Sequence, residues 1–191
     1  MSTDRRQDIL DAATKSFSLF GYKATTMNQV AKLANVGKGT IYTFFKNKEE
    51  LFDEIISKMI QDMENAANNA IQPTNTFQEN VHLSLYAMLE FRMEHQLTIK
   101  LFQEERDIGT PIVQDVITKM EHTILHIIED KITRAIDKNE IKPCNPTLTS
   151  FILLKLYIAL IFDWEKNHEP LSQEEIANLF DLYLIKGLAV N

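Results

Sequence analysis

One apolar stripe limits the fold of this chain more than any other feature of its sequence. Between residues 111 and 141, large apolar side chains recur at steps of three and four, the spacing of one face of an α-helix. The stripe consists of Val113, Val116, Ile117, Met120, Ile124, Ile127, Ile128, Ile132 and Ile136. Shorter stripes of the same period occur elsewhere, and runs of β-branched residues are short. The sequence therefore predicts an all-α fold of about nine helices.

Cap and turn residues divide the chain into these helices. Gly21 and Asn35 are expected to end the first two helices, and Pro111 suits the first turn of the long one. Three capping boxes are predicted, at Thr26–Gln29, Asn47–Glu50 and Ser172–Glu175. The predicted helical segments are 4–20, 26–35, 38–45, 47–70, 77–95, 96–109, 111–141, 148–167 and 172–190, with the clearest linker at 71–76.

Composition limits the cellular setting. The chain has 191 residues, 45% apolar content and a single cysteine, Cys144, which excludes an internal disulfide and fits a cytoplasmic protein. The N-terminus has no apolar region typical of a secretory signal. The most apolar stretch, 151–162, is predicted to be a buried helix and too short to cross a membrane, with Lys155 interrupting it.

Charge is distributed unevenly along the chain. Residues 1–48 hold eight Lys or Arg and three Asp or Glu, a net charge of +5, whereas the remainder carries −12. Such asymmetry favours nucleic-acid binding by the basic part, and the acidic remainder discourages non-specific adhesion to phosphates.

The basic part also predicts a helix-turn-helix. Two short helices, 26–35 and 38–45, are joined by a tight turn, and the second begins at Lys38. Ile41 and Phe45 are expected to face inward, and Phe44 is a further candidate anchor. The outer face and the helix starts offer basic, hydroxyl and backbone groups suited to bases and phosphates. The predicted DNA-binding residues are Thr25, Thr26, Lys38, Gly39, Thr40, Tyr42, Thr43, Lys46 and Lys48.

Residues 9–52, ILDAATKSFSLFGYKATTMNQVAKLANVGKGTIYTFFKNKEELF, closely resemble the N-terminal signature of the TetR family of bacterial transcription regulators. The resemblance implies a DNA-binding domain at 1–47 and a ligand-binding and dimerisation domain at 48–191, connected by the helix from 48 to about 70. It implies a homodimeric repressor that binds a palindromic operator. Carried onto this chain, the usual recognition-helix contacts are Lys38, Gly39, Thr40 and Tyr42, and the usual phosphate contacts are Thr26 and Lys48. Gly37 departs from the Ser that is frequent in the family, which removes a hydroxyl cap and the phosphate contact that this hydroxyl would make.

The C-terminal helices suggest two further sites. The helix at 148–166 is apolar nearly all round, so either the body of the protomer or a partner must cover it. With the last helix, the expected dimer interface is Phe151, Leu154, Tyr157, Ile158, Ile161, Phe162, Phe180 and Tyr183. An effector cavity, small and hydrophobic or fitted to a cationic lipophilic compound, is expected at Met88, Phe91, Phe102, Gln103, Met120 and Ile124, with Glu90, Glu104 or His122 as further polar contacts. The alternative is a solid core.

The sequence leaves two other classes of protein as alternatives. His122, His126 and Glu129 share a helix face, but no HExxH or nearby Cys accompanies them, so neither a metal site nor enzymatic activity is expected, and no cofactor. The second alternative is a DNA-bound structural or cell-division factor of the same fold without ligand control.

Overall fold

A computed structural model describes residues 5–94 and 96–186, and within these ranges it contains nine α-helices and no β-strand. This confirms the all-α prediction. A π-helical turn, Ala159–Asp163, and a 3₁₀ turn, Trp164–Lys166, extend α8, and a π-helical turn, Asp181–Ile185, extends α9. The helices are α1 (Arg5–Ala24), α2 (Met27–Leu33), α3 (Lys38–Phe44), α4 (Lys48–Asn69), α5 (Phe77–Glu94), α6 (Gln96–Ile108), α7 (Pro111–Asp137), α8 (Pro146–Ile158) and α9 (Gln173–Phe180).

Two of the three predicted capping boxes are confirmed. At the start of α2, the Gln29 N–H donates to the Thr26 hydroxyl and the Thr26 N–H donates to the Gln29 side chain. Ser172 and Glu175 make the same reciprocal pair at the start of α9. Each box satisfies N–H groups that a helix start leaves without intrahelical partners.

The third predicted box is only half correct. The Glu50 N–H donates to the Asn47 side chain at 2.8 Å, as expected. The Glu50 carboxylate, however, accepts from the N–H of Lys46 at 2.8 Å instead of from Asn47. The start of α4 is therefore tied one residue further back, into the turn that follows α3.

Left-handed residues explain where two helices end. Gly21 has φ 82°, so α1 is interrupted there as predicted, although a short helical turn continues to Ala24. The predicted end of α7 at residue 141 is wrong, because Asn139 adopts φ 58° and the helix stops at Asp137. The predicted helix positions 4, 95 and 187–190 lie outside the described residues.

The chain divides into two compact units. The head unit comprises Met1–Met63 and Arg92–Thr118, and the body unit comprises Glu64–Phe91 and Lys119–Asn191. The head unit thus contains the first three helices, most of α4, α6 and the start of α7, and the body unit contains the end of α4, most of α5, the rest of α7 and the last two helices. The expected domains 1–47 and 48–191 follow the chain order, whereas the compact units do not.

The head unit is built around large side chains with almost no exposure. Aromatic rings pack at its centre, where Phe17 meets Phe52 edge-on at 5.0 Å and Tyr22 lies 4.6 Å from Phe52, centroid to centroid. The largest fully buried side chains of this core are Ile9, Phe17, Ile41, Phe45, Leu51, Phe52, Ile56 and Leu101.

The body unit contains two smaller clusters. One joins α5 to the last two helices through Leu85, Leu89, Ile161, Ile176, Ala177 and Phe180. The other gathers Ile132, Ala135 and Ile141 near the end of α7. Many of the apolar side chains around both clusters are only half-buried.

Candidate nucleic-acid interface

The turn between α2 and α3 is fixed by backbone hydrogen bonds and one left-handed residue. Asn35 adopts φ 53°, a conformation that asparagine tolerates, and its N–H donates to the Lys32 carbonyl at 3.2 Å. The Val36 N–H reaches back to Ala31 at 3.0 Å, and Gly37 precedes α3 with extended backbone. This is the helix-turn-helix expected from the sequence.

Helix α3 has an inner and an outer face. Ile41 and Phe45 are completely buried, as predicted, and they hold the helix on the head core. Phe44 is 37% exposed, so it is not the inward anchor that it was a candidate to be. The outer face therefore carries an aromatic as well as polar groups.

Four of the predicted contact residues lie together on the outer face of α3. Lys38, Gly39 and Thr43 are exposed, and Tyr42 is 45% exposed. A Cβ built on Gly39 would meet nothing within 4 Å, so backbone is accessible there. Thr40 is half-buried, and its carbonyl accepts from the Thr43 hydroxyl at 2.6 Å. This group can offer an ammonium, hydroxyls and bare backbone to a DNA groove.

The two threonines before α2 have different surroundings. Thr26 is exposed at the helix start. Thr25 is completely buried, its hydroxyl donates to the Gly21 carbonyl at 2.8 Å, and it lies 3.1 Å from the Ser16 hydroxyl. A buried, already bonded hydroxyl cannot reach a phosphate. The Thr25 hydroxyl therefore has an internal, structural role, and a DNA contact through the backbone at this helix start stays a prediction.

Lys46 and Lys48 also differ. Lys46 is exposed, whereas Lys48 is half-buried. The Lys48 ammonium donates to the carbonyls of Tyr22 and Thr25 at 2.9 and 3.0 Å. It also lies 4.1 Å from the centroid of the Tyr22 ring. The ammonium thus binds the corner between α1 and α2, and only its remaining hydrogen-bonding capacity is available to a phosphate.

Burial and charge shift the titration of this corner. Burial lowers the pKa of the Lys48 ammonium, and the negative charges of Glu49 and Glu104 oppose that shift. Burial, followed by the hydrogen bond that the Tyr22 hydroxyl donates to Glu49 at 2.9 Å, raises the pKa of the Tyr22 phenol. The phenol therefore stays protonated and keeps donating to Glu49 at neutral pH.

The corner between α1 and α2 also contains a buried carboxylate, whose role the sequence did not predict correctly. Glu104 of α6 is only 4% exposed and accepts from the backbone N–H groups of Tyr22 and Lys23 at 2.6 and 2.9 Å. The sequence suggested it as an effector contact, which is incorrect because its oxygens already bind the head core. About eighty residues separate the partners, so no local pattern reveals them. The one local signal is Gly21, which leaves room for the carboxylate.

The other effector candidates do not form one described site. Phe102 and Gln103 belong to the head unit, where Phe102 is half-buried and Gln103 is exposed. In the body unit Phe91 and Met120 are buried, whereas Met88 and Ile124 are half-buried. Glu90 and His122 are exposed. The effector site stays a prediction.

The predicted dimer residues divide by exposure within the protomer. Phe151 and Tyr183 are 47% and 67% exposed. Leu154, Ile161 and Phe180 are buried inside their own body unit, so they are wrong as direct interface contacts. The remaining three, Tyr157, Ile158 and Phe162, are half-buried. Leu148 and Ile152 of α8 and Leu182 of the α9 extension, which the prediction did not include, are also exposed, and the interface stays a prediction.

The α8 helix and its extension, Pro146–Lys166, agree closely with the predicted helical segment 148–167. Pro146–Lys166 forms one 21-residue helical segment that is long and apolar enough, by length and composition, to cross a membrane. The prediction that the apolar stretch is too short to cross a membrane is incorrect for the helix as a whole, because it counted only residues 151–162 of a longer helical segment. Only 17% of this apolar window is buried in the protomer, so its expected burial is also incorrect for the isolated chain.

The two histidines of α7, His122 and His126, do not form a metal site with other described side chains. Both His122 and His126 are exposed, whereas the Glu129 carboxylate accepts from the hydroxyl of Thr147. Among residues 5–94 and 96–186, no group of three or more His, Cys, Asp or Glu side chains could hold a metal ion.

Family models and relatives agree with this geometry. Residues 9–55 match the N-terminal model of the TetR family of bacterial regulatory proteins, and residues 74–188 match a tetracyclin repressor-like C-terminal domain. The chain belongs to the TetR family, and it is a transcriptional regulator of that family. The expectation from the resemblance is confirmed at this level.

Two relatives and one solved structure extend the comparison. The chain is 63% identical over 191 residues to the HTH-type transcriptional regulator YhgD of Bacillus subtilis strain 168, covering 100% of both chains. It is 32% identical to the fatty acid metabolism regulator protein of the same strain, covering 94% of this chain and 93% of that one. The crystal structure of AibR in complex with isovaleryl coenzyme A and operator DNA shares the fold, with a TM-score of 0.67, 21% identity, and coverage of 93% of this chain and 96% of that one.

Proposed function

We propose that this chain is a homodimeric repressor that binds a palindromic operator and leaves it when a small lipophilic effector binds. The observation that carries the proposal is the outer face of α3, where Lys38, Gly39 and Tyr42 are exposed above a completely buried Ile41 and Phe45. A short helix anchored so firmly on one side and polar on the other is suited to reading a major groove. Under this proposal residues 1–47 read DNA, and residues 48–191 bind the effector and pair the protomers.

A second copy of the chain is the proposed cover of the apolar face on α8 and α9. Leu148, Phe151 and Ile152 are exposed at helical spacing, and Leu182 and Tyr183 are exposed on the last helix. A contiguous apolar face of this kind marks an interaction surface. Twofold pairing through it would present two copies of α3 to one palindrome. We propose that this pairing, and not lipid, covers the Pro146–Lys166 helix, so that the protein is cytoplasmic.

The effector is proposed to be lipophilic. The fatty acid metabolism regulator and the complex of AibR with isovaleryl coenzyme A both favour an acyl chain or acyl thioester over the cationic lipophilic compound that the acidic composition suggests. Binding in the body would favour protomer geometries in which the two α3 helices no longer match the operator. No chemical step is assigned to the protein, since we infer that it is a regulator and not an enzyme.

Selection of bound fragments from the source genome tests the proposal. The purified chain should recover a small number of palindromic sites in promoters. Lys38→Ala and Tyr42→Ala should each lose this enrichment. Lys58→Ala, which removes an exposed lysine from α4, should retain it. Failure of the wild-type chain to enrich any fragment at moderate salt would overturn the DNA-binding proposal.

The distribution of sites separates the repressor from its alternative. Sites confined to promoters favour a regulator, whereas many sites scattered over a chromosome favour a structural or cell-division factor of the same fold. Displacement of a recovered duplex by acyl coenzyme A thioesters, with no effect of cationic lipophilic compounds, would establish the effector class. The reverse result would exclude acyl thioesters.

A further inference from the structure

The corner between α1 and α2 is held by a carboxylate from a distant part of the chain. Glu104 Oε2 accepts from the Tyr22 N–H at 2.6 Å, and its Oε1 accepts from the Lys23 N–H at 2.9 Å. The same Oε1 accepts from the hydroxyl of Thr110 at 2.8 Å. One side chain thus joins the α1 corner to the turn between α6 and α7.

The backbone is shaped to receive this anion. Gly21 adopts φ 82°, after which the N–H groups of Tyr22 and Lys23 point to the same place, and successive N–H groups of this kind form an anion-binding concavity. A Cβ added to Gly21 would lie 2.3 Å from Glu104 Oε2. The glycine therefore serves two purposes, a left-handed turn and space for the carboxylate.

Burial makes this contact costly to lose. The Glu104 side chain is almost completely shielded from water, so its charge depends on the donors that surround it. Three donors are present, and the Lys48 ammonium contributes a favourable charge interaction with the same carboxylate. A buried carboxylate with three donors is a specific structural link between α6 and the α1–α2 corner.

The corner between α1 and α2 is joined by hydrogen bonds and by the chain itself to residues that are proposed to contact DNA. Tyr22 and Thr25 supply the carbonyls that bind Lys48, and Thr26 follows Thr25 as the N-cap of α2. Displacement of the Tyr22 and Lys23 amides would therefore move both the start of α2 and the seat of Lys48. Glu104 itself faces the interior and has no path to a phosphate.

We propose that Glu104 is a positioning residue for DNA binding, which fixes the α1–α2 corner by holding the Tyr22 and Lys23 amides and ties that corner to the start of α7. The inference rests on the proposed function, because it concerns how well the helix-turn-helix fits DNA. It assigns to a residue outside the helix-turn-helix a direct effect on operator affinity.

Glu104→Gln is the main test, measured by fluorescence anisotropy on a duplex that the wild-type chain recovers in the selection described above. The variant keeps the shape of the side chain but turns an NH₂ group toward a donor or leaves that donor unpaired. The unsatisfied donor should leave the corner in its DNA-binding geometry in about one-tenth of the molecules, so the apparent affinity should fall about tenfold. Loss of one negative charge, by itself, would instead strengthen binding to phosphates.

Glu105→Gln is the matched control. It removes the same charge one residue away, from a side chain that is half-buried. Its affinity should equal or slightly exceed that of the wild type. Glu104→Asp should not rescue binding, because the shorter side chain keeps the charge but cannot reach both amides and Thr110. Rescue by Asp would show that charge, and not position, is what matters, and would overturn the inference.

A smaller change keeps the test informative if Glu104 variants fold poorly. Thr110→Val removes one of the three donors and leaves the corner itself untouched, so a smaller loss of DNA affinity, about threefold, is expected from a smaller fall in the binding-competent fraction. Thermal unfolding and titration of the active fraction should show a folded, fully active protein at the assay temperature. Amide exchange at Tyr22 and Lys23 should accelerate in Glu104→Gln.

The outcomes separate this inference from the proposed function. If no duplex is recovered by the wild-type chain, DNA binding itself is refuted and the positioning role falls with it. If a duplex is recovered and folded Glu104→Gln binds it as tightly as the wild type does, the positioning role alone is refuted.

Discussion

The head and body units bury their apolar residues to different depths. In the head unit, Phe17, Phe45 and Phe52 are essentially inaccessible to solvent. The body unit has fewer fully buried side chains, and much of the apolar surface around its clusters is half-exposed. Its exposed apolar residues also recur at helical spacing on α8 and lie side by side on the extension of α9, whereas an exposed head residue such as Leu19 has no exposed apolar neighbour one helical turn away.

The two units therefore differ in what covers their apolar surface. The head unit closes its core within one chain and fixes its corners with buried polar contacts such as Thr25 and Glu104. The body unit leaves apolar surface that a second chain or a ligand can cover. Substitutions in the head unit should therefore act on the isolated chain, and those on the exposed body face should act on association.

The largest effect is expected in the head core. Phe17→Ala removes a ring with no exposure that packs against both Phe52 and Tyr22, and it should lower the free energy of unfolding by about 3–5 kcal/mol. Phe20→Ala, on the same helix but 55% exposed, should change it by less than about 0.5 kcal/mol. Urea unfolding at fixed protein concentration measures both. Equal changes in the free energy of unfolding for the two variants would contradict the conclusion that Phe17 lies in a closed core and Phe20 on its surface.

Association should respond to the body face. Leu182→Glu places a charge in the proposed interface and should weaken the dimer by about 2 kcal/mol or more, roughly thirtyfold in dissociation constant. Leu19→Glu is the matched control, since Leu19 and Leu182 are both 58% exposed. Sedimentation equilibrium should show dissociation only for Leu182→Glu. A dimer that withstands Leu182→Glu would place the partner surface elsewhere.

Two glycines of the head unit should respond in opposite ways. Gly21→Ala imposes a Cβ at φ 82° and against Glu104, so it should destabilise the fold by at least about 1 kcal/mol. Gly39→Ala meets no atom within 4 Å and lies in a helix, so it should stabilise the fold by about 0.5–1 kcal/mol.

The two variants also separate folding from DNA binding. Gly39→Ala should weaken DNA binding despite its higher melting temperature, because its backbone is proposed to approach the groove. Melting temperatures and duplex affinity together check this pair. Unchanged affinity in Gly39→Ala would remove that position from the interface.

The sequence was most informative where structure is locally determined. Thr26 with Gln29, Ser172 with Glu175 and the left-handed Asn35 all have partners within a few residues, so pattern alone located them. The buried Ile41 and exposed Tyr42 followed from helical spacing for the same reason. The helix order and the helix-turn-helix could therefore be predicted.

Long-range contacts could not be predicted. Nothing near Glu104 in the sequence indicates that it binds Tyr22, because the partners are brought together only by packing of α6 on α1. The prediction of burial failed for the same reason. Nothing in the local sequence distinguishes the buried side chains of Thr25 and Leu154 from exposed contact residues. Periodicity identifies a helical face, but only tertiary structure decides what covers it.

The smallest effects should come from the two capping boxes, one in each unit. Thr26→Ala and Ser172→Ala each remove a side-chain acceptor for a helix-start N–H, so each should cost about 1 kcal/mol of stability. Only Thr26→Ala should also weaken duplex binding, because its helix start is proposed to face a phosphate. Equal DNA affinities for the two variants would show that Thr26 contributes to folding alone.

The Ser172–Glu175 capping box of the body unit should also make stability depend on pH in acid. The backbone N–H of Ser172, followed by its hydroxyl, lowers the pKa of the Glu175 carboxyl below 4.5. A carboxyl with a depressed folded pKa contributes stability above its unfolded pKa and loses it as the pH falls through the folded value. The difference in stability between the wild type and Ser172→Ala should therefore be constant near neutral pH and shrink below pH 4.5. A difference that is unchanged in acid would mean that the Ser172 hydroxyl acts without the charge on Glu175.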